Sequence, residues 1–199
     1  MPERDDDGGV KSRHRGAMTA EPPASAYDMG HAVEVESLAT FAILVDNEPG
    51  VLHRVVGLFA ARGYNIESLT VAETDESAHT SRITIVTRGT PQVLAQIQAQ
   101  LEKMVSTRHV VNVTLAPNGV QRELALVKVH GAGGDRVEAL RISDIFRARV
   151  IDTTSQSFIF EITGAPSKID KFTDLMRPLG LVEVSRTGVL SIERGEETL

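Results

Sequence analysis

Residues 38–62 read LATFAILVDNEPGVLHRVVGLFAAR, and this stretch decides the fold. Phe41, Ile43 and Val45 alternate with smaller residues over Leu38 to Val45, the period-two signature of a strand with one buried face. Asp46-Asn47-Glu48-Pro49-Gly50 breaks that alternation. Val51, Val55, Leu58 and Phe59 then recur at helical spacing, with Pro49 suited to the first helical position and Gly63 supplying a stop just after Arg62. Further out, 65–73 and 80–88 are β-rich runs joined by the polar turn Thr74-Asp75-Glu76-Ser77, which predicts a hairpin. Thr90 caps and Pro91 starts a second helix bearing Leu94, Ile97, Leu101 and Met104, and 109–115 is again strand-like. The predicted order is βαββαβ.

Ala116-Pro117-Asn118-Gly119 is turn chemistry, and beyond it the order repeats. Strands are predicted over 123–130, 150–154, 157–163 and 181–187, and helices over 135–148 and 168–177. Leu94, Ile97, Leu101 and Met104 map onto Ile169, Phe172, Met176 and Leu179 at a constant spacing of 75. Phe59, Ala61, Arg62 and Asn65 map onto Phe146, Ala148, Arg149 and Asp152 at a spacing of 87. The fold class is therefore α+β, with two tandem ferredoxin-like βαββαβ domains at 37–115 and 120–190, a tail at 1–36 and a C-terminal tail at 191–199. Such a unit lays both helices on one face of an antiparallel sheet and leaves the other face bare. At about 75 residues each unit is near the lower limit for an independent core, so pairing of sheets or homodimerisation is expected.

Residues 1–36 hold almost no large apolar side chains and carry four basic against eight acidic residues, a net −4 of the −6 on the whole chain. Such a segment cannot bury enough surface to offset its chain entropy and is expected to be disordered. Its acidic opening lacks the basic start and apolar stretch of an export signal, which points to the cytoplasm; Met18 and Met29 are alternative starts. No apolar run approaches the roughly 20 residues of a membrane-spanning helix. The chain has no cysteine, so disulfides, thiolate nucleophiles and cysteine-ligated metals are excluded. The negative charge and 4% aromatic content argue against a nucleic-acid surface, whose sheet would need basic residues and stacking aromatics.

Catalytic signatures are missing. His14, His31, His53, His79, His109 and His130 fall on different elements with no i, i+4 pair, so no metal site is expected. Gly131-Ala132-Gly133-Gly134 lacks the lysine and third spaced glycine of a phosphate cradle and reads as a strand-to-helix turn. The remaining candidate is the junction Asp46-Asn47-Glu48-Pro49-Gly50-Val51-Leu52. A helix start offers unpaired N–H groups and a positive dipole end, a receptor for a carboxylate. Gly50 allows close approach, Val51 and Leu52 offer apolar walls, Asn65 can donate and accept hydrogen bonds, and Ile66 adds apolar surface. Spacing alone leaves the alternative that Pro49-Gly50 only begins a helix and Asn65 only serves a turn.

The words Asn47-Glu48-Pro49-Gly50-Val51-Leu52, Arg62-Gly63-Tyr64-Asn65-Ile66-Glu67-Ser68-Leu69 and Arg122-Glu123-Leu124-Ala125-Leu126-Val127-Lys128-Val129 closely resemble the small, regulatory subunit of acetolactate synthase (acetohydroxyacid synthase). The match runs from about Leu38 to Ser191-Ile192-Glu193-Arg194-Gly195. The resemblance implies an N-terminal ACT domain, an ACT-like second domain, and a chain that is not itself an enzyme. By the same resemblance it binds no cofactor and works on a large catalytic subunit that carries thiamine diphosphate, FAD and Mg, raising its activity and conferring feedback inhibition by valine or another branched-chain amino acid. The effector would lie between two protomers, with Asn47, Gly50, Val51 and Leu52 from one and Asn65 and Ile66 from the other. At the spacing of 87, Asn65 becomes Asp152 and Glu48-Pro49-Gly50 becomes Asp135-Arg136-Val137, which assigns effector binding to the first copy alone. A freestanding ACT-domain amino-acid sensor acting through another protein, and a plain dimerisation module, are the rival readings.

Overall fold

The alternation at Phe41, Ile43 and Val45 becomes one row of a buried face in the computed structural model of the chain, which describes residues 35–75, 77, 79–116 and 118–196. The expected N-terminal tail lies outside the described residues as far as 34. The first module comprises β1 (Ser37–Asp46), α1 (Val51–Arg62), β2 (Ser68–Asp75), β3 (Thr80–Gly89), α2 (Pro91–Glu102) and β4 (Thr107–Asn112). Its antiparallel sheet has the order β2-β3-β1-β4. Pairing of Phe41 with Ile85 and of Ile43 with Ile83 stacks these side chains on one face, where α1 adds Val55 and Phe59 and α2 adds Leu94, Ile97 and Leu101. Each such fully buried side chain contributes about 1.5–3 kcal/mol. As the sequence predicts, Thr90 caps α2, its hydroxyl accepting from the Val93 N–H, with Pro91 in the first turn.

The second module comprises β5 (Gly119–His130), α3 (Gly133–Phe146), β6 (Arg149–Thr153), β7 (Ser157–Gly164), α4 (Pro166–Met176), a 3₁₀ turn at Arg177–Leu179, β8 (Leu181–Arg186) and β9 (Leu190–Glu193). The order β6-β7-β5-β8 repeats that of the first sheet. Ala125, Val127, Val129, Phe158, Phe160 and Ile162 face Ala139 and Ile142 of α3 and Ile169, Phe172 and Met176 of α4. Phe160 meets Phe172 edge-on at 6.0 Å between ring centroids, a geometry that adds about 0.5–1.5 kcal/mol beyond burial. The fold is thus two tandem ferredoxin-like sandwiches.

Three expectations are corrected by the far end of the chain. The segment read as a C-terminal tail from 191 instead contributes β9, which pairs with β5 from Gly119 to Arg122. Strand β5 also begins four residues earlier than its alternation indicates, because its first third serves this ribbon and only Glu123–His130 pairs with β7. Nor is the outer face of the first sheet bare. The ribbon and the β8–β9 turn lie against it: Gln121 Nε2 donates to Thr40 Oγ1 at 3.2 Å, Thr70 Oγ1 donates to the Val189 carbonyl at 3.3 Å, and the Val189 N–H donates to Ser68 Oγ at 3.1 Å. Gly188, at φ 83°, makes this approach possible, since a Cβ there would stand 2.6 Å from Ser68 Oγ. Thr40, Thr84 and Val86 are buried as a result.

The internal repeat survives with one change of register. The spacing of 75 holds, Pro91 and Pro166 opening α2 and α4 and both apolar sets lying in their cores. The spacing of 87 does not. Helix α1 ends with Tyr64 N–H donating to the Phe59 carbonyl and Gly63 N–H to that of Ala60; α3 ends with Ala148 N–H donating to Ser143 and Arg147 N–H to Asp144. Both are Schellman endings, and they match at a spacing of 84, as do the register shifts at Leu44/Val45 and Lys128/Val129. Buried Ser143 therefore occupies the place of Phe59. Phe146, matched to Phe59 by letters, reaches the core one turn later by resting on Phe172 at 5.6 Å.

Candidate functional site

Between β1 and α1 the chain makes a tight turn in which the Val51 N–H donates to the Glu48 carbonyl at 3.2 Å. Gly50 has φ 84° and ψ −2°. Pro at the second and Gly at the third position with this geometry is a type II β-turn, and any L residue at the third position is strained. Pro49 was expected as the first helical residue; it is the second residue of the turn instead, and α1 starts at Val51 because Gly50 leaves the helical region.

The turn is fixed from several sides. Asn47 N–H donates to the His79 carbonyl at 2.7 Å, and Asp46 N–H to that of Ser106 at 2.9 Å. Arg54 reaches back to pair with Glu48 and also donates to Ser106 Oγ at 3.1 Å, while Arg108 pairs with Asp46 at 2.6 Å. No side chain caps α1 and no acid occupies its first turn. The positive end of its dipole is thus not met by a side chain of that first turn.

The six predicted residues take different parts. Asn47 and Gly50 are exposed at the turn. Val51 is corrected from its expected role as a wall: its side chain is in the core cluster and its N–H is engaged by Glu48. Leu52, 38% exposed, is left as the apolar surface at this end. Asn65 and Ile66 follow the other end of the helix, where Tyr64 closes the Schellman motif by meeting Phe59 edge-on at 6.1 Å. The Asn65 carbonyl accepts from Thr87 Oγ1 at 2.6 Å, while its side chain is exposed and Ile66 is half-buried against the core. The 12 residues of α1 separate the two groups by about 18 Å. One chain does not bring them together.

The second module lacks both halves of this arrangement. Four residues, 47–50, link β1 to α1, but only 131 and 132 link β5 to α3. Five residues, 63–67, link α1 to β2, but only 147 and 148 link α3 to β6. At the structural spacing of 84, Gly50 corresponds to Gly134 inside α3, and Asn65 to Arg149, which is in β6 and pairs with Glu161 at 2.8 Å. The glycine is thus not lost, as the spacing of 87 implied; it is wound into a helix.

Sequence reasoning passed over two clusters whose members meet only in the fold. Arg54, Glu48 and Ser106 border a depression of about 560 Å³ that also touches Leu58 and Lys103 and none of the six predicted residues. In the second module Glu123, almost fully buried, accepts from Arg186 at 2.7 and 2.6 Å, and Asp170 accepts from the same guanidinium at 2.7 Å. The hydrogen bonds that Arg186 donates to Glu123 hold its guanidinium above its ordinary pKa, with burial opposing and Asp170 reinforcing. Sixty-three residues separate Arg186 from Glu123, and no local pattern links them. Among the described residues no three His, Asp or Glu side chains converge to hold a metal ion, and no helix is long and apolar enough to cross a membrane.

Comparisons with known proteins agree with this architecture. Residues 41–109 match the family model of the AHAS small subunit-like ACT domain, and 122–195 that of the small subunit of acetolactate synthase. The chain is 46% identical over 158 residues to the probable acetolactate synthase small subunit of Archaeoglobus fulgidus, covering 79% of this chain and 98% of that one. It is 42% identical over 159 residues to the acetolactate synthase isozyme 3 small subunit of Escherichia coli K12, covering 79% and 96%. The crystal structure of the acetolactate synthase small subunit from Thermotoga maritima superposes with a TM-score of 0.71 at 36% identity, covering 81% of this chain and 99% of that one.

Proposed function

We propose, from the premise that this chain belongs to the acetolactate synthase small-subunit family, that it is a regulatory subunit that raises the activity of a thiamine-diphosphate-dependent large subunit and passes to it feedback inhibition by valine or another branched-chain amino acid. The catalytic cofactors, thiamine diphosphate, FAD and Mg, belong to the large subunit in this reading, and this chain performs no chemistry of its own. One observation carries the effector site. The type II turn at Glu48–Val51 leaves the start of α1 uncapped, while Asn65, the polar side chain suited to the other half of an amino acid, stands about 18 Å away at the far end of the same helix. A homodimer that sets the α1 start of one copy beside Asn65 and Ile66 of the other completes the site.

In that geometry the effector carboxylate docks on the N–H groups and dipole of α1 beside Gly50, its side chain rests on Leu52 and Ile66, and Asn65 takes the remaining polar contacts. Because the site is shared, effector binding shifts the balance between two dimer arrangements by its difference in affinity for them. The second module, with both connecting loops shortened, serves assembly. The test adds purified chain to the isolated large subunit with and without valine. Increased acetolactate formation that valine suppresses is the expected result. Valine binding without any effect on the large subunit would favour a freestanding sensor, and neither response would favour a dimerisation module.

A further inference from the structure

Over the open side of Gly50 stands the guanidinium of Arg54. Arg54 lies one turn into α1, its own N–H donating to the Gly50 carbonyl at 3.0 Å, and its side chain folds back toward the helix start. One end of the guanidinium is fully engaged: Nη2 pairs with Glu48 and donates to Ser106 Oγ at 3.1 Å, and Ser106 is itself buried, so this end is held against a fixed wall. The other end is not. Nη1 has no hydrogen-bond partner among the described residues, and it stands 3.9 Å from the place a Cβ would take at Gly50. No other atom beyond the neighbours of Gly50 in the chain comes within 4 Å of that place. Gly50 is exposed and the Arg54 side chain is 46% exposed, so the approach is open to a solute.

The charges around this turn leave an excess of positive. A helix start carries about half a positive charge, so a cation laid back over it is disfavoured unless an anion joins both. Glu48 offers one negative charge but is 52% exposed and screened by water, and the other acid of the turn, Asp46, is paired with Arg108. The N–H groups of Leu52 and His53, in the first turn of α1, have no acceptor among the described residues. Two backbone donors and one edge of a guanidinium are thus left beside Gly50, a donor set that suits a carboxylate. We propose that Arg54 grips the effector carboxylate through Nη1 and that Glu48 opposes it, an inference that rests on the α1 site of the proposed function and names the charge that recognises its ligand. Glu48 and the effector then share one guanidinium. By neutralising that cation and repelling a second carboxylate, Glu48 lowers the affinity that Arg54 raises.

The full-length chain is titrated by calorimetry with valine, leucine and isoleucine, and the tightest binder of the three is carried into the variants, each also melted thermally. Glu48→Gln and Arg54→Gln break the same exposed ion pair, a loss that a fold tolerates. Their effects on binding should nevertheless have opposite signs. Arg54→Gln should weaken binding about tenfold or more, in the wild-type chain and in the Glu48→Gln chain alike, whereas Glu48→Gln alone should tighten it about threefold. Lys103→Gln, which removes the other cation bordering the depression next to Arg54, should leave binding unchanged. A Glu48→Gln chain that binds no more tightly than wild type would assign the pair to holding the turn and overturn the proposal, even where Arg54→Gln fails to fold. Wild-type affinity in Arg54→Gln, or a loss in Lys103→Gln in its place, would overturn it as well. Binding lost in Gly50→Asp but kept in Arg54→Gln would leave the α1 site standing without Arg54, and no saturable uptake of any of the three by the wild-type chain would remove both.

Discussion

Replacing Gly50 separates backbone strain from charge at the proposed effector site. At φ 84° an L residue is penalised by about 1–2 kcal/mol, partly returned by about 0.4–1 kcal/mol through a less flexible unfolded chain. A Cβ would meet nothing nearer than Arg54 Nη1 at 3.9 Å, so no clash is added. The net cost is about 1 kcal/mol for Gly50→Ala, which in a chain of this size lowers the melting temperature by roughly 2–4 °C. Gly50→Asp carries similar strain and adds a negative charge. At about 5 Å from a docked carboxylate and an effective dielectric near 20, repulsion amounts to about 3 kcal/mol, or roughly 150-fold in affinity. Arg54, already paired with Glu48, screens part of this and leaves a loss on the order of 10- to 100-fold. Valine titrations by calorimetry, with thermal denaturation of both variants, check these figures. Both variants should melt a few degrees early, and Gly50→Asp should bind valine far more weakly than Gly50→Ala. Equal weakening in the two would assign the effect to the turn and refute the charge argument; wild-type affinity in Gly50→Asp would refute the site.

Asn65→Ala should weaken valine binding by about 1–3 kcal/mol and leave the melting temperature almost unmoved, because the fold uses the Asn65 carbonyl rather than its side chain; a full thermal shift with unchanged binding would contradict this. Glu123→Ala strands the Arg186 guanidinium beside Asp170 alone, and urea denaturation should show a loss of roughly 2–4 kcal/mol; a loss under about 0.5 kcal/mol would mean that the pair is solvated. Gly188→Ala should cost roughly 2–3 kcal/mol through strain and displacement of Ser68. Hydrogen exchange should then quicken at the Val189 amide, which donates to Ser68, and unaltered exchange there would argue that the contact between modules is loose.

Much of the architecture can be read from local pattern. The strands that cross each core and helices α2 and α4 carry large apolar residues at clean periods, and Thr90, Pro91 and Gly63 mark ends by chemistry that needs no tertiary partner. What escapes is set by contacts distant in sequence. Strand β9 has four residues, too few for a period, and its partner lies about 70 residues earlier. The true register of the repeat is carried by backbone hydrogen bonds at Phe59 and Ser143, whose side chains differ, while the look-alike Phe146 points to the wrong alignment. At the candidate site the polar and glycine positions are legible. The burial of Val51, and elsewhere the pairing of Arg186 with Glu123, are not, because each depends on contacts made only in the fold.

Strand β5 belongs to two layers at once: its first four residues pair with β9 in the ribbon that rests on one sheet, and the next eight form the middle of the other. The two sandwiches are therefore joined by unbroken β-structure with no separate linker at this point, so whatever alters the pairing of the ribbon on the N-terminal sheet acts on the same strand that runs through the middle of the C-terminal one.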